Sequence, residues 1–222
     1  PIGQDGLFWP MGAWLNPAAL VERLLDHPNI RLLTEHSAEE AAYDNESRQW
    51  CVRTLHGTLS GSHIVFCTGA GSLHTPVTQQ FPLQIIRGQT SIAPATEYSR
   101  ALKTALSAAS YISPAWQGYH CFGATFAPNN PDTAWQAENE QHNRQALSQL
   151  NEPLYRSLSE QWGDESSLHP AERGHAALRC DAHDHLPAVG ALGDAAAMKQ
   201  VYAKFAHDKN YPIHTPCPYL PN

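Results

Sequence analysis

Basic residues are scarce in this chain of 222 residues: 14 Lys and Arg stand against 21 Asp and Glu, for a formal charge of -7. Binding to a phosphate backbone is driven by Lys and Arg displacing counterions, so the balance argues against this chain alone gripping a nucleic acid. Thirteen histidines soften the point, because each can charge just below neutral pH. Methionine is rarer still, at Met11 and Met198 only, and the first residue is Pro1. With the turn-rich PCPYLPN at the other end, the chain reads as part of a longer protein. No apolar run approaches the length of about 18 residues that a membrane helix needs, and no signal-peptide pattern opens the chain. The expectation is a soluble, cytoplasmic protein without a membrane partner. Cysteines are five and widely spaced (Cys51, Cys67, Cys121, Cys180, Cys217), with no CxxC pair, which fits reduced thiols better than a disulfide framework. Walker and GxGxxG motifs are absent. Neither GATF at Thr125 nor TGAGS at Ser72 makes a G-x-S-x-G nucleophile elbow, so hydrolase chemistry has little support.

What is present is an ordered series of elements. Gly6 to Trp14, GLFWPMGAW, has the look of an apolar strand broken by Pro10 and Gly12. Its aromatics Phe8, Trp9 and Trp14 suit a core strand better than a surface for stacking bases. Asn16-Pro17 is a helix start, predicting a helix from Pro17 to about Asp26. A strand follows at Asn29 to Glu35, then two more at Trp50 to Leu55 and Thr58 to Ser62 around the turn His56-Gly57. Ile64 to Cys67 is continuously apolar and ends in TGAGS. Such a run predicts a central buried strand, with small residues past its end that let a ligand approach the backbone or simply turn the chain. From Pro82 the pattern becomes an antiparallel α+β unit, to about residue 172. It comprises a strand Leu83 to Pro94 interrupted at Arg87-Gly88-Gln89, a helix Glu97 to Ala108, and a hairpin turned at Gln117-Gly118. Two helices, Thr133 to Leu150 and Pro153 to Trp162, complete it. A short helix at Ala195 to Phe205 lies beyond.

Arg179 ends the short apolar run Ala176 to Leu178. Its planar fork is suited to holding a carboxylate by two parallel hydrogen bonds, and a structural ion pair is the plainer alternative. Cys180, Asp181, His183, Asp184 and His185 are the densest group of metal-capable side chains, with His183 and His185 able to share a strand face and His169 and His175 nearby. No second motif supplies further ligands at a recognised spacing, so the expectation is a polar loop and no metal.

Taken in order, GLFWPMGAWLNPAAL, IVFCTGAGS, PLQIIRGQ, YISPAWQGYHCFGATF and ALRCDAHDHLPAVG resemble the FAD-dependent amine oxidases of the glycine oxidase, sarcosine oxidase and D-amino acid oxidase family. Within it they look closest to the oxidoreductase half of bifunctional enzymes that modify the tRNA wobble uridine. The resemblance implies part of a two-domain fold, α+β and α/β, with an antiparallel-sheet substrate domain and an incomplete FAD-binding domain. On that basis residues 1–75 are a partial FAD-binding domain and connection, 76–175 the substrate domain, and 176–222 the return to the first. Gly69 and Ala70 match backbone lying close to the dinucleotide, Arg87, Gly88 and Gln89 the strand that passes the flavin ring, and Gly190 the end of a loop near it. Tyr111 and Arg179 match positions that contact the substrate carboxylate.

The implied partners are tRNA and a fused methyltransferase half that uses S-adenosylmethionine. The implied substrate is a carboxymethylaminomethyl group, oxidised at its C–N bond with release of glyoxylate. A free amine such as glycine or sarcosine is the alternative that the acidic charge favours. A non-catalytic module on the same scaffold is another, and a metal-dependent hydrolase a third. The family's N-terminal GxGxxG turn and helix, which cradle the pyrophosphate, have no counterpart in the sequence. The chain by itself is therefore expected to hold FAD weakly or not at all and to be inactive alone. A visible spectrum of the purified protein checks this, colourless being the expected result and flavin bands the contrary one.

Overall fold

The computed structural model describes residues 5–162 and 174–212. The chain divides into two compact units, one of residues 1–23 and 83–181, the other of 24–82 and 182–222. Packing thus puts the boundaries at 82/83 and 181/182, against 75/76 and 175/176 in the sequence reading, and groups residues 1–23 with the later strands.

The larger unit is built on β4, Leu83–Pro94. It lies in a six-stranded sheet of order β5-β6-β7-β4-β8, with β5 at Leu106–Ser107, β6 at Tyr111–Ile112, β7 at Tyr119–Gly123 and β8 at Ala127–Pro128. β9, Ala176–Ala182, also pairs with β4. Side chains alternate along a strand, and β4 shows it: Arg87, Gln89, Ser91 and Ala93 are buried while Gly88, Thr90 and Ile92 are half-buried. The buried side meets two helices, α2 (Ala137–Leu150) and α3 (Glu152–Ser159). Ala93, Leu102, Ile112, Phe122, Leu147, Leu150, Leu154 and Leu158 form the core there. Asn151 separates the helices and caps the second, its side-chain oxygen accepting from the Leu154 amide at 3.0 Å.

The expected interruption of β4 at Arg87-Gly88-Gln89 is absent, because a strand whose two faces meet different surroundings carries such residues without a break. The helix expected over Glu97 to Ala108 is a single 3-10 turn at Ser99–Ala101. Thr96 and Ser99 begin it by exchanging side-chain to backbone bonds of 2.8 and 3.0 Å, but Leu102 leaves it in extended geometry to enter the core. The hairpin forms as expected, with Gln117 and Gly118 both at positive φ, 49° and 88°. GLFWPMGAW is a loop and no strand: Pro10 has no amide to give a ladder, Gly12 donates to the Trp9 carbonyl in a turn, and Phe8 and Trp9 are exposed. Trp14 meets Trp116 edge-on at 6.4 Å.

In the smaller unit a meander of β1 (Ala38–Asp44), β2 (Gln49–Thr54) and β3 (Gly57–Gly61) forms one antiparallel sheet. The β2–β3 pair matches expectation, its turn closed by Gly57 at φ 122° and by the Thr54 hydroxyl donating to the Gly57 carbonyl at 2.9 Å. β1 was not expected, since AEEAAYD has little strand propensity. It forms because Tyr43 packs edge-on against the buried Trp50 at 5.5 Å and the backbone pairs along its length. Neither Asn29–Glu35 nor Ile64–Cys67 is a strand. A central strand exists only where neighbours flank it, and among the described residues Ile64–Cys67 has none, leaving Val65 82% exposed. Helix α1 (Pro17–Leu25) begins where Asn16 accepts from the Ala19 amide, and α4 (Ala195–Tyr202) is capped by Asp194.

His120 sits fully buried on the core side of β7, bonded to the Ser113 carbonyl and the Ser99 hydroxyl at 2.8 and 2.9 Å. Burial holds its pKa below the ordinary 6.5. Its folded value is depressed, so the unfolded chain takes up the proton first. The stabilising contribution is complete above the ordinary value and is lost as pH falls below it. Urea midpoints measured between about pH 7.5 and 5 should fall with pH in the native protein, and that part of the slope should vanish in His120→Gln.

Candidate functional site

The open side of the larger sheet carries the site. Strand register settles which residues share it. Thr90 pairs with Gly123 and Ile92 with Cys121 across β4 and β7, and Tyr111 pairs with the same Gly123 across β6 and β7. Partners in an antiparallel pair project from one face, so Gly88, Thr90, Ile92, Tyr111 and Cys121 lie together, opposite the helices. All are half-buried. The Thr90 hydroxyl donates to the His175 carbonyl at 3.3 Å and accepts from the His175 amide at 3.4 Å.

Burial, reinforced by Cys121, pushes the Tyr111 phenol up to about 12. Burial likewise raises the Cys121 thiol. At neutral pH the face therefore presents a protonated phenol beside a protonated thiol, with the Thr90 hydroxyl engaged by His175. None of these groups is a base, and the patch suits binding and orientation better than proton abstraction.

The three residues of the RGQ run divide between the two sides. Arg87 and Gln89 are fully buried on the helix side. Arg87 donates from Nε to the Asp132 carbonyl at 2.7 Å and from Nη2 to the Ala134 carbonyl at 2.6 Å and the Gln89 Oε1 at 3.1 Å. Gln89 returns its amide to Gln136, accepting from the backbone nitrogen at 2.9 Å and donating to the carbonyl at 2.8 Å. These bonds hold the carbonyls of Asp132, Ala134 and Gln136 toward β4, which explains why the helix expected from Thr133 starts at Ala137. The remaining Arg87 nitrogen, Nη1, has no hydrogen-bond partner. Gly88 alone of the three is on the open face, where a Cβ would come within 3.3 Å of the Thr125 carbonyl.

Arg179 lies exposed on β9, its guanidinium 5.1 Å from the centre of the Phe126 ring. Thus Tyr111 and Arg179 stand on strands of one sheet system, as does Gly88. Gly69, Ala70 and Gly190 belong to the smaller unit. Gly69 opens a 3-10 turn, Gly69–Leu73, at φ 53°, and neither it nor Gly190 has any heavy atom within 4 Å of an added Cβ. Backbone this open admits close approach by a ligand, so these positions fit a dinucleotide. The half-open polar face with its glycine fits a flat ring in the same sense.

The polar run Cys180 to His185 leaves the strand after Ala182, and His185 turns at φ 60°, so the two histidines do not share a strand face. Among the described residues no group of three or more His, Cys, Asp or Glu is placed to hold a metal. The described cysteines, Cys51, Cys67, Cys121 and Cys180, are free thiols; His169 and Cys217 lie outside the described residues. No helix among the described residues is long and apolar enough to cross a membrane.

Three residues of the face, Thr90, Ile92 and Cys121, were not singled out from sequence. Alternation from Gly88 is a usable signal for Thr90. Cys121 needed the hairpin register.

A model of FAD-dependent oxidoreductases, the DAO family, matches residues 1–210. The chain belongs to that family. DAO-family relatives include the tRNA 5-methylaminomethyl-2-thiouridine biosynthesis bifunctional protein MnmC of Chromobacterium violaceum, 36% identical over 96% of this chain and 32% of its own length. The protein of the same name from Ectopseudomonas mendocina is 33% identical over 99% of this chain and 33% of its own length. The chain therefore spans about a third of the length of these curated relatives. Among solved structures it resembles a glycine oxidase from Geobacillus kaustophilus, with TM-score 0.59 and 17% identity over 73% of this chain and 40% of that one. It also resembles an L-proline dehydrogenase from P. horikoshii, with TM-score 0.55 and 15% identity over 84% and 53%. The fold is that of FAD-dependent oxidases and dehydrogenases, as the sequence motifs implied.

The Arg87 side chain ties β4 to the start of α2 through two backbone carbonyls that nothing else replaces. Arg87→Ala should lower stability by about 3 kcal/mol in urea unfolding. Arg87→Lys should recover less than half of that, because an ammonium lacks the fork.

Proposed function

We propose that this chain supplies the substrate face of an FAD-dependent oxidoreductase that removes the carboxymethyl group from carboxymethylaminomethyl-uridine at the tRNA wobble position. The open face formed by Gly88, Thr90, Tyr111 and Cys121 carries the reading, and the DAO-family membership and the relatives named for tRNA modification support it. The group removed is an N-substituted glycine. Arg179 holds its carboxylate by the guanidinium fork, and the Tyr111 hydroxyl donates a second bond to it. Those contacts orient the carbon beside nitrogen toward the open sheet face. Gly88 keeps that face flat, while Arg87 and Gln89 fix the strand from behind. Gly69, Ala70 and Gly190 give the dinucleotide open backbone.

FAD bound against this face would supply the two-electron oxidation of the C–N bond that these residues orient. The oxidised C–N bond is then hydrolysed, giving an aminomethyl uridine and glyoxylate. Methylation by an S-adenosylmethionine-dependent half of the same enzyme follows. No strong base is required, in keeping with a face that has none.

The formal charge of -7 favours a second reading, in which the substrate is a free amine such as glycine or sarcosine. One assay on the full-length protein that contains this chain separates the two: glyoxylate released from modified tRNA and from free glycine, with FAD supplied. The expected result is release from tRNA only, and Arg179→Ala should lower kcat/KM about 100-fold, the cost of roughly 3 kcal/mol of charge-assisted bonding. Full activity of Arg179→Ala overturns the carboxylate assignment. Release from glycine alone selects the second reading.

A further inference from the structure

The Gln89 carbonyl accepts from the Thr125 amide at 3.1 Å, whereas the Thr90 amide donates to the His175 carbonyl at 2.9 Å. Backbone groups of successive residues in a strand point to opposite edges. Thr125 and the residues leading into β8 therefore lie on one edge of β4, and His175, which leads into β9, on the other. Ala127 of β8 pairs with Arg87 and so shares the helix side with it. Phe126, just before, turns away and is 52% exposed. The Arg179 guanidinium, coming from β9, lies 5.1 Å from the centre of that ring. An arginine and an aromatic ring thus meet across the width of β4. Among the described residues no carboxylate pairs with Arg179.

An exposed arginine has a long stem with many rotamers, and ordering it on binding costs free energy that the carboxylate contact must offset. A ring face attracts the guanidinium through its quadrupole, and the observed separation is inside the roughly 6 Å over which that attraction operates. The ring acts on the charge and takes up none of the five N–H donors. A carboxylate partner within the protein would do the opposite, fixing the side chain and occupying its fork at once.

We propose that Phe126 is a positioning residue for Arg179: its ring holds the guanidinium at the open sheet face and leaves the fork for a substrate carboxylate. The proposal rests on the reading that Arg179 receives that carboxylate. Phe126 makes and breaks no bond; it lowers the cost of presenting the fork.

Ring electrostatics and ring bulk are separable. Pentafluorophenylalanine at position 126 keeps nearly the shape of the ring and reverses the sign of its face, whereas Phe126→Leu removes the ring and Phe126→Tyr keeps its face. Acetate, the carboxylate alone, is the probe, and its binding to the full-length protein that contains this chain is measured by calorimetry. Pentafluorophenylalanine and Phe126→Leu should each weaken acetate binding about twofold to fivefold, the effect of one exposed contact between a cation and a ring. Phe126→Tyr should stay within about twofold of the native protein. If Arg179→Ala weakens acetate binding but the native and pentafluorophenylalanine proteins bind it equally, the role of Phe126 is overturned and the carboxylate site stands. Acetate binding that is absent from the native protein, or unchanged in Arg179→Ala, overturns the carboxylate assignment and the role of Phe126 together.

Discussion

Gln89 pairs its side-chain amide with both backbone groups of a single residue, Gln136, and Arg87 beside it takes the carbonyls of Asp132 and Ala134. A buried strand thereby holds the segment that leads into α2 as firmly as a neighbouring strand would. The cost of burying an amide and a guanidinium is offset by donors and acceptors in place on arrival, Arg87 Nη1 excepted. Behind these two residues the same side of β4 continues into a polar layer. Ser91 donates to Glu140 at 2.6 Å, Asn143 donates to the Gln89 carbonyl and the Ser91 hydroxyl, and Arg144 pairs with Glu140 at 2.9 Å while lying over Trp162. Removing one member leaves its partners buried and unsatisfied, so the layer specifies one position for α2 against the sheet.

Because one side of β4 is fixed so completely, the other is free to be a binding surface. Gly88, Thr90 and Ile92 point away from the helices with no role in that layer, and β6 and β7 add Tyr111 and Cys121 to them. The alternation of a single strand separates the residues that hold the scaffold from those of the candidate site. The RGQ run shows the division within three residues, two of which hold the scaffold while the glycine between them keeps the open face level. A family motif assigned as a whole to the cofactor thus contains side chains whose contacts are internal.

The smaller unit is held differently. Its three-stranded meander rests on Trp50, flanked edge-on by Tyr43 and Phe66, and on turns closed by short polar side chains such as Thr54 and Asp44. The Arg53 pairs with Glu39 and Glu40 are exposed and add little. Gly69 and Gly190 lie in this unit with open backbone, a property of conformation and space that needs no side-chain chemistry.

The sequence by itself determined the features that depend on neighbours in the chain. The Asn16 cap, the turns at His56-Gly57 and Gln117-Gly118, the strand composition from Leu83 to Pro94 apart from its supposed break, and the ordered motifs of the family are all local, and all were legible. What it misjudged were strands whose existence depends on a partner: among the described residues GLFWPMGAW, Asn29–Glu35 and Ile64–Cys67 have strand composition and no pairing neighbour, whereas β1 has poor composition and a good one. Tertiary structure alone decided the face on which Tyr111 and Cys121 lie. The Trp116–Tyr119 bridge at the hairpin's turn and the Ile112–Phe122 pairing further along differ in register by one residue. A one-residue slip moves every side chain of a strand to the opposite face. Extending the turn's register to Tyr111 would therefore turn it toward the core, and only the assembled sheet, with Phe122 and His120 drawn in against the helices, fixes the outcome.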